Sequence, residues 1–329
     1  MKEDEVFRIV QKYMSSIPVV LMGTGATIPY GMSGMYGLSK YLIKHLNRKY
    51  KGDRTWCIIR SKLSKGVDLE SALTGLVIED ELMQDFTNRT WELLTNDDIE
   101  VFNKLLISKQ LMPLSQLIMK LYNPTPRCVN IITTNYDRLI EYACDQAAIP
   151  CNNLFQGEYI KFPSSTLKYR EMVNVLKVHG SLDWFKNIYD MVYSIPLQQK
   201  IPKGFDPQII APGSTKYKKV LQEPFREVLH NADNVIGKAN SYLCVGFGFN
   251  DEQIQAKIIE GIRKGKPIIV VTKSISDKAK KLIRDNSSHY IIIQQNEPTL
   301  KEETQVIIPT EEVVLDKNYW TLEGFLEMF

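Results

Sequence analysis

The chain has 329 residues, 44% of them hydrophobic and 24% charged, with a net charge of +3. This is ordinary globular composition, enough for one large or two small domains. So weak a positive balance does not indicate nucleic acid as the main partner, and no apolar run approaches the roughly 18 residues of a membrane span. The opening Met1-Lys2-Glu3-Asp4-Glu5 is not a signal peptide, so a cytoplasmic location is expected. The five cysteines, Cys57, Cys128, Cys144, Cys151 and Cys244, form no C-x-x-C pair. No zinc site is therefore expected, and Cys128 and Cys244 read as core residues on strands.

In chain order, Val6, Ile9, Val10 and Tyr13 share one helical face over residues 5–15, which predicts a leading amphipathic helix. Residues 18–22 predict a first buried strand. It runs into Gly23-Thr24-Gly25-Ala26-Thr27, with a helix expected next. From Leu38 to Pro126 apolar residues recur at three and four (Leu42, Leu46; Leu69, Leu73, Leu76), and strand signals are scarce. Strands return at 129–133, 173–178, 242–245, 267–271 and 290–293, with a weaker candidate at Ile209-Ile210 before Ala211-Pro212-Gly213. Helices are predicted near 251–264 and 277–285, and a short one over 321–329. Lysines around 216–219 and 278–281 read as solvated faces.

This alternation predicts an α/β fold, a doubly wound parallel sheet of Rossmann type. Residues 1–329 are expected to form one domain, with 38–127 a mainly helical insertion and 128–329 completing the sheet. Gly23, Thr133, His179, Gly246 and Thr272 all end apolar runs. In a parallel sheet those ends share one edge, where open α/β sheets bind ligands, so five segments are expected to meet in one crevice.

The chemistry at those ends is mixed. Gly23-Thr24-Gly25 could bring backbone N–H groups to a phosphate, or it could be only a tight turn. Ile28 stands where the third glycine of G-x-G-x-x-G belongs, and the G-x-x-x-x-G-K-[ST] pattern is absent, which argues against an ATPase or GTPase. In Thr133-Thr134-Asn135-Tyr136-Asp137, Asn135 could donate to and accept from a sugar hydroxyl or a water. Asp137 could hold a ribose hydroxyl or orient Asn135. Helix capping accounts for one of these residues but less easily for the whole run. His179, in Lys177-Val178-His179-Gly180-Ser181, could act as a general base near neutrality, with Gly180 letting the chain turn close to a ligand. Gly246-Phe247-Gly248 is a second glycine-rich strand exit. Asn250 and Asp251 either contact a ligand or cap the next helix. Thr272 and Ser274 could reach an adenine ribose, though loop polarity is the plainer reading.

Together these segments resemble the sirtuin family. Gly23-Thr24-Gly25-Ala26-Thr27 resembles its NAD-phosphate loop, Thr133-Thr134-Asn135-Tyr136-Asp137 its threonine-x-asparagine-x-aspartate motif, and His179-Gly180 its catalytic histidine-glycine. Gly246-Phe247-Gly248-Phe249-Asn250-Asp251 resembles the late glycine motif of a divergent, sirtuin-like branch found in bacterial anti-phage systems. The four-cysteine zinc module of protein deacylases is missing, since Ser181 to Gln208 contains no cysteine. Their phenylalanine-glycine-glutamate channel motif is missing too. The resemblance implies an NAD⁺ glycohydrolase that releases nicotinamide and ADP-ribose, with an NAD-dependent deacylase or a non-catalytic NAD or ADP-ribose sensor as alternatives. It implies Asn135, His179 and Asp137 as catalytic residues. It implies Gly23, Thr24, Gly25, Ala26, Thr134, Gly246, Gly248, Asn250, Asp251 and Thr272 as NAD contacts. Because free NAD⁺ hydrolysis would be toxic, gating by homo-oligomerisation or by a separate activating protein is expected.

Overall fold

The computed structural model describes residues 2–155, 171–196, 198–211, 222–296 and 302–329. Pro212, Gly213 and the lysines at 216–219 lie outside the described residues. The strands are β1 (Val19–Met22), β2 (Cys128–Thr133), β3 (Cys151–Asn152), β4 (Met172–Lys177), β5 (Gly180–Asn187), β6 (Val192–Ser194), β7 (Phe205–Ile209), β8 (Tyr242–Val245), β9 (Ile268–Thr272), β10 (Tyr290–Gln295), β11 (Thr304–Ile307) and β12 (Glu312–Leu315). The α-helices are α1 (Glu3–Met14), α2 (Met35–Tyr50), α3 (Arg54–Ser64), α4 (Leu69–Leu73), α5 (Asp80–Ile107), α6 (Pro113–Tyr122), α7 (Leu139–Gln146), α8 (Phe225–Lys238), α9 (Glu252–Arg263), α10 (Asp277–Asn286) and α11 (Leu322–Phe325).

Among the described residues nine strands form the main sheet, in the order β12-β11-β10-β9-β8-β1-β2-β4-β3. From β10 to β3 every pairing is parallel, and β11 and β12 add an antiparallel edge. The inner strands are apolar on both faces because both are covered. Val20, Met22, Ile131, Val175, Val245 and Val271 pack with α1, α6, α7 and the C-terminal turn. Val19, Leu21, Ile132, Leu176, Cys244 and Val270 pack with α8, α9 and α10. Cys128 and Cys244 are both buried in strands. The chain leaves β1 for β2 on one side and returns to β8 on the other. The switch point of this doubly wound sheet therefore lies at the carboxyl end of β1.

Helices α2 to α6 occupy residues 35–122, and α2 to α5 have an apolar cluster of their own around Trp56, Leu73 and Phe86. Further along, α5 meets the site side of the molecule. Trp91, Leu94 and Val101 pack with Leu139, Leu182, Phe185 and Ile209, and the Trp91 indole donates to the Leu182 carbonyl at 2.7 Å. The C-terminal turn packs back on the body, with Lys120 and Gln11 donating to the carbonyls of Leu326 and Met328, each at 3.2 Å.

Three expectations are corrected. The candidate strand at Ile209-Ile210 is β7 (Phe205–Ile209), and it joins β5 and β6 in a separate antiparallel sheet, not the parallel one. The Gly23–Thr27 turn leads into two single-turn 3₁₀ helices, Thr24–Ala26 and Ile28–Tyr30, and the next α-helix starts only at Met35. Gly180 does turn the chain sharply, at φ +88°, but toward β7: a Cβ there would lie 2.0 Å from the Gln208 carbonyl oxygen.

Candidate functional site

The carboxyl ends of the parallel strands open into two cavities rather than one crevice. The first, about 170 Å³, is lined by Gly23, Thr24, Thr134, Asn135, Asp137, His179, Gly248, Asn250 and Asp251. The second, about 780 Å³, is lined by Gly25, Ala26, Gly246 and Thr272, with Tyr30, Lys273 and the 316–324 segment opposite. Every expected site residue thus lies on one cavity or the other.

Close backbone packing separates the two. Gly246 has φ +55°, and a Cβ on it would lie 2.2 Å from the Ala26 nitrogen, while one on Gly23 would lie 2.5 Å from the Gly246 oxygen. Amides of the turn are already engaged within the protein. Gly23 N–H donates to Val245 at 3.2 Å, Gly25 to Gly246 at 3.1 Å, Ala26 to Gly23 at 3.0 Å and Thr27 to Thr24 at 3.1 Å. The glycines are accounted for here by the contact between the exits of β1 and β8.

Asn135 is the most informative side chain. It is 4% exposed. Its Nδ2 donates to the Gly23 carbonyl at 3.0 Å and to Thr27 Oγ1 at 3.3 Å. A carbonyl only accepts, so the amide orientation is fixed by its partner. That leaves Oδ1 as the other end, and among the described residues it is buried without a hydrogen-bond partner. An unpaired buried carbonyl oxygen costs roughly 1–3 kcal/mol. Asn135 also lines the first cavity. The backbone there is equally fixed: Asn135 N–H donates to Thr133 Oγ1 at 3.0 Å, and that hydroxyl donates to the Met22 carbonyl at 3.1 Å.

What holds Asn135 is therefore Gly23 and Thr27 rather than Asp137. The Asp137 Oδ1 accepts from Leu139 N–H at 3.2 Å, at the start of α7. Burial pushes its carboxyl up to about 6, with Lys177 opposing. Lys177 is fully buried and donates to the Asp137 carbonyl, to Ser181 Oγ at 3.0 Å and to Glu141 at 2.9 Å. Burial works against its charge, yet the carboxylates of Glu141, Asp183 and Asp137 keep the ammonium above its ordinary value. A second buried pair fixes the same loop from the helical side, where Arg138 meets Asp98 through its guanidinium at 2.7 Å and its N–H at 2.8 Å.

His179 follows β4, and its carbonyl accepts from Ile210 N–H at 2.9 Å. Its Nε2 lies 2.7 Å from Asp251 Oδ2. Asp251 caps α9, Oδ1 accepting from Gln253 and Ile254 N–H at 3.1 and 3.0 Å. Two residues before it Phe249 has φ +57° and is 4% exposed, an uncommon conformation for a bulky residue, of the kind that clusters at functional sites. Thr134 lines the first cavity, as does the exposed Asn250. The Thr272 hydroxyl donates to the Ser274 carbonyl at 3.1 Å.

Several residues escaped the sequence reading. Thr27 anchors Asn135, and Met32, Leu38, Glu70 and Leu94 bring the helical part onto the first cavity. Lys177 had a signal, a charge inside an apolar strand run. Asp98 had none, since it sits in a polar stretch of a long helix. Among the described residues no group of three or more His, Cys, Asp or Glu side chains is placed to hold a metal ion, and no helix is long and apolar enough to cross a membrane.

The chain is a doubly wound α/β architecture with polar strand exits at its switch point, the place where such sheets bind their ligands. The SIR2-like domain family matches over residues 129–310, more than half of the sequence, and the chain belongs to that family. No curated protein matches it. Among solved structures, one on the mechanism and regulation of Sir2 enzymes is 16% identical, covers 88% of this chain and 92% of its own, and has a TM-score of 0.49. A mutant Sir2 homologue in complex with ADP-ribose is 14% identical, with 88% and 90% covered and a TM-score of 0.49. Sir2Tm bound to a propionylated peptide is 14% identical, with 88% and 92% covered and a TM-score of 0.45.

Proposed function

We propose that this chain cleaves the nicotinamide–ribose bond of NAD⁺, giving nicotinamide and ADP-ribose. Membership of the SIR2-like family supports NAD⁺ as the substrate. The observation that carries the reading is Asn135, its amide oriented by the Gly23 carbonyl and its residue on the cavity that His179 and Asp137 also line. In the proposed step the bond from the ribose anomeric carbon to nicotinamide breaks, and its electron pair neutralises the ring nitrogen. Water's oxygen forms the new bond at that carbon through an oxocarbenium-like transition state. The water's proton passes to His179. Asn135 Oδ1 holds the water or a ribose hydroxyl, and Asp137 lines the same cavity. The cavity at these groups, about 170 Å³, is below the roughly 300–1,000 Å³ of sites for drug-sized ligands. The dinucleotide would extend past the Gly25–Gly246 contact into the 780 Å³ cavity, with Thr272 at its far end.

By resemblance of the Gly246–Asp251 segment, the proposal extends to a gated effector of anti-phage defence acting by NAD⁺ depletion in the cytoplasm, held off until it self-assembles or meets an activating partner. The experiment is nicotinamide release from NAD⁺ by the purified chain, across concentrations that shift its oligomeric state, with an acetyl-lysine peptide in a parallel arm. Release independent of peptide supports hydrolysis. Release only in the acetyl-lysine peptide arm, with deacylated peptide formed, replaces it with deacylation. Binding without release at any oligomeric state replaces it with sensing. Full activity as a monomer overturns the gating.

A further inference from the structure

Resting on the catalytic reading of His179, we propose that Asp251 is its positioning residue, fixing the imidazole tautomer that leaves Nδ1 as the proton acceptor. The chemistry follows from the two ends of one carboxylate. Asp251 is 6% exposed, and its Oδ1 is occupied by the first turn of α9, accepting from Gln253 and Ile254 N–H. Helix N-termini favour negative charge at this position. The cap therefore sets the orientation of the carboxylate, and Oδ2 is turned to His179 Nε2 at 2.7 Å. A carboxylate oxygen only accepts, so the ring nitrogen facing it carries the proton. The other nitrogen, Nδ1, then has the lone pair.

Both partners sit on rigid elements. His179 follows the buried strand β4 and is tied by its carbonyl to Ile210, and Asp251 begins a helix anchored by the buried Ile254 and Ile258. Capping alone uses one carboxylate oxygen, and a serine, threonine or asparagine would do it as well. The second oxygen gives a reason for a carboxylate at this site. In the step above, the attacking water gives its proton to Nδ1 as its oxygen bonds to the anomeric carbon and the nicotinamide bond breaks. The resulting imidazolium keeps its Nε2–H toward Asp251, where the negative charge stabilises it.

The test is Asp251→Asn, which keeps the helix cap but turns an N–H donor toward the ring, so that Nε2 must become the acceptor and Nδ1 the protonated nitrogen. With ¹⁵N-histidine labelling, the ring nitrogens of His179, assigned by comparison with His179→Gln, report the tautomer directly. The expected result is Nε2–H in the wild type and Nδ1–H in Asp251→Asn. In nicotinamide release kcat falls about 10²- to 10⁴-fold, as for a misoriented acid–base group, with KM within a few-fold. Asp251→Ser, which also retains the cap, removes the partner and lowers kcat without imposing the opposite tautomer. Identical ring-nitrogen signals in wild type and Asp251→Asn, or Nδ1–H in the wild type, overturn the assignment. So does a kcat equal to wild type in both variants, which keep the helix cap and would then mark Asp251 as a cap only. If the wild type shows the Nε2–H tautomer, Asp251→Asn reverses it, and no condition yields nicotinamide release, hydrolysis fails while the positioning by Asp251 stands.

Discussion

Asn135 is held from one end only, and that asymmetry makes its chemistry testable. Asn135→Asp keeps the free acceptor but replaces the donor that Gly23 and Thr27 require with an oxygen facing the Gly23 carbonyl. Asn135→Ala removes both. Both variants are expected to lose nicotinamide release by about 10²- to 10⁴-fold. Asn135→Asp should also lower the melting temperature, because it aims a charge at a buried carbonyl. Near wild-type release in either folded variant would remove Asn135 from the site. Asp137 carries a separate, pH-dependent expectation. Its folded carboxyl titrates at about 6, above the ordinary 3.8, because it is buried. The folded state therefore binds the extra proton between those values, and stability falls as pH rises through them. A gap of about two units corresponds to about 3 kcal/mol. Denaturant unfolding of Asp137→Asn against wild type should shift in favour of the variant by roughly that much between pH 4 and pH 8. A constant difference across this range would mean that Asp137 is not displaced upward.

At the scale of elements, the contact between the turn after β1 and the exit of β8 divides the two cavities. Gly246 is at φ +55° with the Ala26 nitrogen in its Cβ position, whereas Gly248 is outside the left-handed region and a Cβ there would meet only the Asn250 side chain at 3.4 Å. Gly246→Ala is expected to cost at least about 1–2 kcal/mol from the backbone conformation alone, plus displacement of the Gly23–Ala26 turn. Gly248→Ala should stay within about 0.5 kcal/mol of wild type. Thermal unfolding and NAD⁺ binding by calorimetry check both. Equal effects at the two glycines would show that the ridge does not organise the site. The two strand exits were legible in the sequence as glycine runs, but their contact was not. A glycine accepting a phosphate and a glycine accepting another backbone leave the same local pattern. The inner strands were legible for a simpler reason: burial on both faces turns β1, β2, β8, β9 and β10 into near-continuous apolar runs. β5, β6, β11 and β12 carry polar or exposed positions, and no such run marks them.

For the whole molecule, the question is how the helices of residues 35–122 bear on the sheet edge. Their helical character could be read from spacing, but not their attachment, because a contact between α5 and the loop before α7 spans about 40 positions and leaves no local signature. That attachment is a buried ion pair. Asp98 is fully buried and accepts from the Arg138 guanidinium, the Arg138 N–H and the Tyr142 hydroxyl. Arg138 directly follows Asp137, and Asn135 is three residues before it, so one carboxylate on α5 fixes the segment that carries both site residues. Removing one partner of a buried pair costs more than the pair itself contributes, since the other charge is left without compensation. Asp98→Ala should therefore destabilise by about 3–5 kcal/mol, well beyond a surface substitution. Asp98→Asn, which retains acceptor capacity, should cost less. Asp98 does not line either cavity, so any loss of nicotinamide release in Asp98→Asn must pass through the Asn135–Arg138 segment. Hydrogen exchange is the measurement that separates this coupling from general loosening. Faster exchange confined to α5 and residues 135–142 is the expected result. Uniform acceleration across the parallel sheet, or destabilisation under about 1 kcal/mol in Asp98→Ala, would show that the helices cover the site without organising it.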